Sequence, residues 1–214
     1  MTAKPSGIGH KLRQAGGVFA LLGVQLIVFV VSEQVSVSAD LSEHGRVLVS
    51  ATERLSNFVF LVSSIAACVA WILDKRRVID IAVMLYASCA TLALVDNVAA
   101  LVLRAIERKG EPLYMLWDVF AVYAMIIVVF AAWYSIVDRL VQGGAFVFPK
   151  SDQPDAPERT PNALDYIFIA FNATLTFGPT TEAAVAREAK VVMMLQAAIS
   201  LVVVTVLLAR AVGG

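Results

Sequence analysis

Apolar runs long enough to cross a membrane dominate this sequence. A helix needs about 20 mostly apolar residues to cross the roughly 30 Å hydrocarbon layer of a bilayer. Since lipid offers the backbone no hydrogen-bond partners, a crossing segment of this length has to be helical. Five segments meet the length requirement: residues 14–32, 55–73, 78–103, 115–137 and 189–212. We therefore predict an all-α integral membrane protein with five transmembrane helices.

The composition agrees with this class and argues against several others. Hydrophobic residues make up 59% of the 214 residues and charged residues 16%, whereas a soluble domain has about 45–50% and about 25%. The 17 basic and 17 acidic residues cancel, so net charge gives no reason to expect a nucleic-acid partner. Cys68 and Cys89 lie in apolar runs, where cysteine is expected to pack as a small hydrophobic residue rather than form a disulfide framework.

The polar connections predict how the helices follow one another. Residues 14–32 come after basic residues, as in a signal peptide, but no small-residue cleavage site follows, so we interpret them as a retained first helix. Residues 33–54 are polar and predict a loop or a short surface helix. The connection at 74–77 is short, so the helices on either side of it are expected to be antiparallel neighbours.

A stretch rich in proline and glycine divides the chain into three regions. Residues 142–162 contain Gly143-Gly144 and four prolines, which predicts an irregular extramembrane loop. Residues 1–141 are expected to form a four-helix transmembrane region. Residues 163–214 hold a short apolar segment and the last transmembrane helix.

The short apolar segment does not fit a simple count of spanning helices. Its apolar part, residues 164–177, has about 14 residues, which suits a re-entrant or interfacial helix. Gly178-Pro179 is expected to end this helix abruptly. Irregular backbone at membrane depth is tolerated where protein buries it or water lines it. A short helix, a turn and a full spanning helix together have the shape of a pore loop.

Residues 165–212 resemble the pore helix, filter and inner helix of tetrameric cation channels of the potassium-channel type. Thr176-Phe177-Gly178-Pro179-Thr180 stands where those channels carry Thr-Val-Gly-Tyr-Gly. The stretch also resembles a bacterial membrane family of unknown function with an aromatic–Thr–Phe re-entrant motif. The resemblance implies a homo-oligomer, with four copies favoured, that passes monovalent ions through the inner membrane of a bacterium. The pore or filter residues that it implies are Asn172, Thr174, Thr176, Phe177, Gly178, Pro179 and Thr180.

Two departures from the channel filter bear on selectivity. Thr180 replaces the second filter glycine and Pro179 replaces the tyrosine. A potassium filter needs successive carbonyls aimed at one axis, and glycine permits the backbone alternation that this requires. This chain keeps one of the two filter glycines, Gly178. Proline fixes φ near −65° and lacks an N–H. We therefore expect no high potassium selectivity, and either a shorter, wider threonine-lined site or a loop that does not conduct.

Two of the acids inside predicted helices are candidate functional residues. An isolated acid at the centre of a membrane helix costs at least about 2.5 kcal/mol on insertion scales, so Asp96 is expected to face the bundle interior and find a partner. It is either an ion or proton site or a structural hydrogen-bonding group. Asp118 lies near the start of the fourth helix, where it is either a functional acid or an interfacial one.

The charge distribution conflicts with the orientation of a potassium channel. Five spanning helices and a pore loop place the two termini on opposite faces, and a cytoplasmic C-terminus would put the basic N-terminal residues and 75–77 outside. The positive-inside rule favours the reverse. Arg104, Arg108 and Lys109 lie on the other face, so the bias is modest and the orientation stays open.

No motif in the sequence predicts catalysis, a cofactor or a metal site. His10 and His44 are isolated, and no paired His or Cys spacing typical of metal ligands occurs. Three functions remain: an oligomeric pore-loop channel, an ion- or proton-coupled carrier that uses Asp96, and a non-conducting structural or accessory membrane protein.

Overall fold

Helices account for most of the fold. The computed structural model describes residues 23, 27, 43–73, 76–107, 112–149, 161–175 and 182–212, and 86% of the described residues are helical. The elements within these ranges are α1 (Glu43–Ile72), α2 (Arg76–Glu107), α3 (Pro112–Leu140), β1 (Phe146–Val147), α4 (Ala163–Leu175), β2 (Ala183–Ala184) and α5 (Arg187–Val212).

Three of the described helices are long and apolar enough to cross a membrane: Asp80–Leu103 in α2, Leu116–Leu140 in α3 and Arg187–Ala209 in α5. They coincide with the third, fourth and fifth predicted spans, and they identify the chain as a membrane protein. The second predicted span, 55–73, overlaps α1, where the apolar stretch found among the described residues is Asn57–Ala66, too short to count as a span. Of the first, only Gly23 and Ile27 lie within the described residues, and both are helical.

Two predicted connections differ from the structure. Residues 43–54 are helical, as one of the two alternatives has it, but the helix is not short: α1 begins at Glu43 and continues without a break to Ile72. Extending an existing helix by one residue is easier than starting a new one, and after Gly45 this stretch contains no further glycine or proline. The predicted irregular loop contains β1, which pairs with β2.

The described helices pack around α3, which contacts α2, α4 and α5, while α1 packs against α2. The rings of Phe60 and Tyr86 meet edge to face with centroids 5.5 Å apart, a pairing consistent with antiparallel α1 and α2. Between α2 and α3, Arg139 lies 3.5 Å from Asp80. The buried face of α2 is rich in alanine, whose small side chain lets neighbouring helices approach closely. Close packing matters in a membrane because lipid provides no hydrophobic driving force for helices to associate. These alanines are Ala82, Ala87, Ala90, Ala93 and Ala100.

The end of α3 and the beginnings of α4 and α5 lie at the same end of the bundle. β1 follows α3 and β2 precedes α5, and the two strands pair antiparallel, with Phe146 opposite Ala184 and Val147 opposite Ala183. The Tyr166 hydroxyl, in the first turn of α4, donates a 2.6 Å hydrogen bond to Asp138 Oδ2 near the end of α3. The chain therefore enters α4 from this end and is back at this end when α5 begins.

A hydrogen bond between spanning helices gives the first prediction. Trp133 Nε1 on α3 donates to Thr91 Oγ1 on α2 at 2.8 Å. We expect Trp133→Phe to lower the free energy of unfolding in detergent by about 0.5–1.5 kcal/mol, because the loss of this bond is added to a small loss of packing. Trp117→Phe is the matched control, since Trp117 is 67% exposed, and it should change stability by less than about 0.5 kcal/mol. Additive effects of Trp133→Phe and Thr91→Val would contradict a direct interaction.

Candidate functional site

The 13-residue helix α4 buries one stripe of side chains against the spanning helices. Tyr166, Ile169, Ala170 and Thr174 are buried, and their spacing of three and four residues places them on one face of a helix. The opposite face exposes large apolar side chains, among them Phe168 and Phe171. Although nearly every residue of α4 is apolar, the helix has a defined inward face, and that face carries its polar contacts.

The deeper of these contacts is centred on Gln196 of α5. Its side chain is fully buried, and its Nε2 donates to the Ala170 carbonyl at 2.7 Å and to Thr174 Oγ1 at 2.6 Å. The Tyr134 hydroxyl on α3 donates to Gln196 Oε1, and the Thr174 hydroxyl donates to the Ala170 carbonyl at 2.8 Å. We call Tyr134, Ala170, Thr174 and Gln196 the inner anchor. Both amide hydrogens and the amide oxygen are paired, as a buried amide requires.

The second contact is centred on Asp138, near the end of α3. Asp138 Oδ1 accepts the backbone N–H groups of Ala145 at 2.6 Å and Phe146 at 3.0 Å, while Oδ2 accepts the Tyr166 hydroxyl at 2.6 Å. We call Asp138, Ala145, Phe146 and Tyr166 the outer anchor. It joins the end of α3, the start of β1 and the first turn of α4. Burial, the hydrogen bond to Asp138 and the charge of that carboxylate raise the pKa of Tyr166 above its ordinary value, so the hydroxyl stays protonated and remains a donor at physiological pH.

A glycine turn brings the backbone N–H groups to this carboxylate. Gly143 and Gly144 have φ angles of +90° and +86°, a region in which residues with a Cβ are strained. A Cβ on Gly144 would lie 3.3 Å from Asp138 Oδ1, whereas a Cβ on Gly143 would meet no atom within 4 Å. The turn therefore needs glycine at both positions for its backbone, and at Gly144 for space as well.

Aromatic rings fill the volume between the two anchors. The ring of Phe146 lies edge to face against Tyr134, with centroids 5.3 Å apart, and 6.4 Å from that of Tyr166. Phe148 packs against Tyr166 at 5.9 Å, nearly perpendicular to it. Such pairs contribute about 0.5–1.5 kcal/mol each beyond the area that they bury. The tyrosines thus use their hydroxyls for the anchors and their rings for a shared apolar cluster.

The inner anchor lies partway along the spanning helices. Gln196 is nine residues after Arg187, the first residue of α5, which corresponds to about 13.5 Å along a helix. That is somewhat less than half of the roughly 30 Å hydrocarbon layer. At the outer end, Val185 N–H donates to the Ala145 carbonyl at 3.0 Å. The stretch from α4 to β2 thus has both ends at one end of the bundle, with Thr174 tied to Gln196, the tenth of the 26 residues of α5.

The structure places two of the predicted pore residues. Thr174 is buried and belongs to the inner anchor, where it faces the bundle. Asn172 is half-buried, and its Nδ2 donates to the Phe168 carbonyl one turn earlier at 3.0 Å. The remaining predicted pore residues, Thr176, Phe177, Gly178, Pro179 and Thr180, lie outside the described residues.

The two predicted intramembrane acids lie away from both anchors. Asp96 is half-buried on α2, and the neighbouring Asn97 is buried and donates to the Ala93 carbonyl at 2.8 Å. Asp118 is buried on α3, sixteen residues before Tyr134 and therefore about 24 Å away along the helix. Within the described residues, no group of three His, Cys, Asp or Glu side chains could hold a metal ion.

Sequence reasoning did not identify Tyr134, Asp138, Tyr166 or Gln196 as site residues. Gln196 carried a usable signal, because a polar side chain within a membrane-spanning segment needs a partner and often marks a functional position. Asp138 directly follows the fourth apolar run, where a charged residue is ordinary. The pairing of Tyr166 with Asp138 joins residues 28 positions apart, and no pattern in the sequence predicts it.

No family model matches the chain, and no match was found among curated proteins or solved structures.

The glycine turn gives the second prediction. We expect Gly144→Ala to destabilise the protein more than Gly143→Ala. Both substitutions strain the backbone, by about 1–2 kcal/mol for a left-handed residue, but only the methyl group at position 144 presses on Asp138. Thermal unfolding in detergent measures the difference, with Gly143→Ala as the matched control. Equal losses from the two substitutions would show that Asp138 moves aside without consequence.

Proposed function

We propose that this protein is a channel-like membrane protein in which α4 is a re-entrant half-helix beside an oligomeric pore. One observation carries the proposal. The 13-residue α4 begins at the same end of the bundle as α5, and its last turn is tied to Gln196, the tenth of the 26 residues of α5. A helix of this length spans only about 18 Å, which is too short to cross a bilayer.

The end of α4 supports a water-lined path. The last four carbonyls of a helix have no partner within the helix, and lipid cannot supply one at membrane depth. The C-terminal end of α4 and the residues that follow it therefore need protein or water beside them. The negative end of the helix dipole is also there, which favours a cation over an anion. Monovalent cations are the proposed permeant ions.

The surface of α5 supports an assembly of several copies. Only 22% of its apolar span is buried within the chain, against 50% for the spans of α2 and α3. Exposed Ala197 and Ala198 would allow close helix contacts in a membrane. In the proposed homo-oligomer, with four copies favoured, α5 lines the path and residues 176–180 form a filter of threonine hydroxyls and backbone carbonyls. Two further spans, 14–32 and 55–73, and a location in a bacterial inner membrane complete the proposal.

One observation favours a second candidate, an ion- or proton-coupled carrier. Asp96 is half-buried within the apolar span of α2, where an acid is costly and needs a reason to be retained. A carrier of this kind would use Asp96 and would not require several copies. A non-conducting accessory protein is the third candidate, and it is the outcome if no transport is found.

A flux assay tests the channel proposal. The purified protein is reconstituted into liposomes, and fluxes of K⁺, Na⁺ and Cl⁻ are measured while voltage and pH are varied. We expect cation flux with weak discrimination between K⁺ and Na⁺, since Pro179 and Thr180 replace residues that a potassium filter needs. Gly178→Val should abolish the flux by removing the backbone freedom of glycine. Leu85→Val is the matched control, because Leu85 is exposed on α2, a helix that has no part in the proposed path.

Two results would contradict the channel. The first is the absence of flux for all three ions in a protein that is folded and inserted. The second is a stable monomer by native mass spectrometry in lipid, because a single copy cannot surround a pore with one α5. A particle with fourfold symmetry would support the assembly.

Asp96 separates the carrier from the channel. We expect Asp96→Asn to reduce cation flux only modestly in a channel, since Asp96 lies apart from both anchors. In a carrier the same substitution would abolish coupled transport, because asparagine cannot bind and release a proton. Proton-driven uptake and passive flux are measured on the same liposomes. Abolition of uptake by Asp96→Asn would overturn the channel in favour of the carrier.

A further inference from the structure

Gln196 ties the short helix to two spanning helices at once. Its fully buried amide bonds to α3 through the Tyr134 hydroxyl and to α4 through two acceptors one turn apart, the Ala170 carbonyl and Thr174 Oγ1. The Thr174 hydroxyl donates in turn to the Ala170 carbonyl, so the three groups close a ring of hydrogen bonds. In a low-dielectric interior such a network is strong when complete and costly when broken.

The two bonds to α4 define its position. Each residue along a helix corresponds to a rise of about 1.5 Å and a rotation of about 100°. A slip of α4 by one residue would therefore turn Thr174 away from Gln196 and leave the amide unpaired. Apolar packing alone specifies position less sharply, because hydrophobic attraction is not directional.

We infer that Gln196 is a positioning residue that sets the height and rotation of α4. The consequence for ion passage rests on the proposed function, whereas the positioning of α4 does not. Gln196 acts through α4 and is not assigned a contact with an ion. A leucine at this position would fill a similar volume but would leave the Tyr134 hydroxyl without its acceptor and α4 without its two donors.

The experiment measures the height of α4 directly. Cys68 and Cys89 are free and are first replaced by alanine. A nitroxide is then attached through Phe168→Cys, because Phe168 is 48% exposed, and its depth is read from collisions with oxygen and with a water-soluble nickel complex. We expect Gln196→Leu to change this depth by about 1.5 Å or more, at least one residue of helix rise. Tyr134→Phe is the matched control for depth, since it keeps both bonds from Gln196 to α4.

Gln196→Glu adds a signature that a space-filling role would not produce. The introduced carboxyl group can donate one hydrogen bond to α4 when protonated, but it can only accept when ionised. Its charge would then oppose the Ala170 carbonyl. Tyr134 is the titratable group in contact with it, and Asp138 lies one turn further along α3. Buried glutamates reach pKa values of about 8–9, so the label should keep its original depth at about pH 6 and lose it by about pH 10.

Each outcome decides the inference. A depth that changes in Gln196→Leu, and changes with pH in Gln196→Glu but not in the parent, supports it. An unchanged depth in a folded Gln196→Leu protein overturns it. If Gln196→Leu does not fold, the pH series on Gln196→Glu decides alone, and a depth independent of pH overturns the inference. Ion flux is recorded on the same samples. If the depth changes in Gln196→Leu but the parent protein shows no flux, the positioning role is supported and the channel is rejected. If Gln196→Leu changes the depth and also loses the flux of the parent protein, both proposals are supported.

Discussion

A primary amide inside an apolar bundle has to pair its oxygen and both of its hydrogens, and Gln196 does so with groups on two other helices. The need to pair this amide constrains how α3, α4 and α5 are positioned relative to one another. If α3, α4 and α5 are not all at the correct height, at least one polar group is left unpaired, at about 1–3 kcal/mol. The apolar surfaces of the same helices would tolerate a range of positions. The amide therefore selects one packing among the many that the apolar residues permit.

The outer anchor meets a different need, because it lies where the bundle gives way to loops. Asp138 uses both carboxylate oxygens, one for the N–H groups that follow a glycine turn and one for Tyr166. A carboxylate is a stronger acceptor than an amide, and it is better tolerated near a helix end than at membrane depth. The charged group therefore holds α4 at its beginning, and the neutral amide holds it near its end.

The parts of the fold that sequence could predict are those that depend on length and apolar content. The spans in α2, α3 and α5 follow from uninterrupted apolar runs, and the shortness of α4 follows from its own run and from Gly178-Pro179. The anchors could not be predicted in this way, because Gln196 and Tyr134 are 62 positions apart and their pairing depends on how the helices assemble. β1 was missed because two residues are too few to show the alternation of a strand. The polar side chains of residues 43–54 indicate exposure to water, which does not distinguish a short surface helix from the beginning of a long helix such as α1.

A half-length apolar helix is difficult to explain by stability alone. A helix of 13 residues leaves its last four carbonyls without a partner within the helix, a larger share of its backbone than in a longer helix. In this chain two polar anchors, a glycine turn with positive φ angles and a small strand pair all act on the segment that begins and ends at one side of the bundle. Structure that specifies a costly arrangement so closely is typical of functional sites, where several groups together hold a conformation that none would hold alone. The surroundings of α4 are therefore the part of the described residues in which a function is sought.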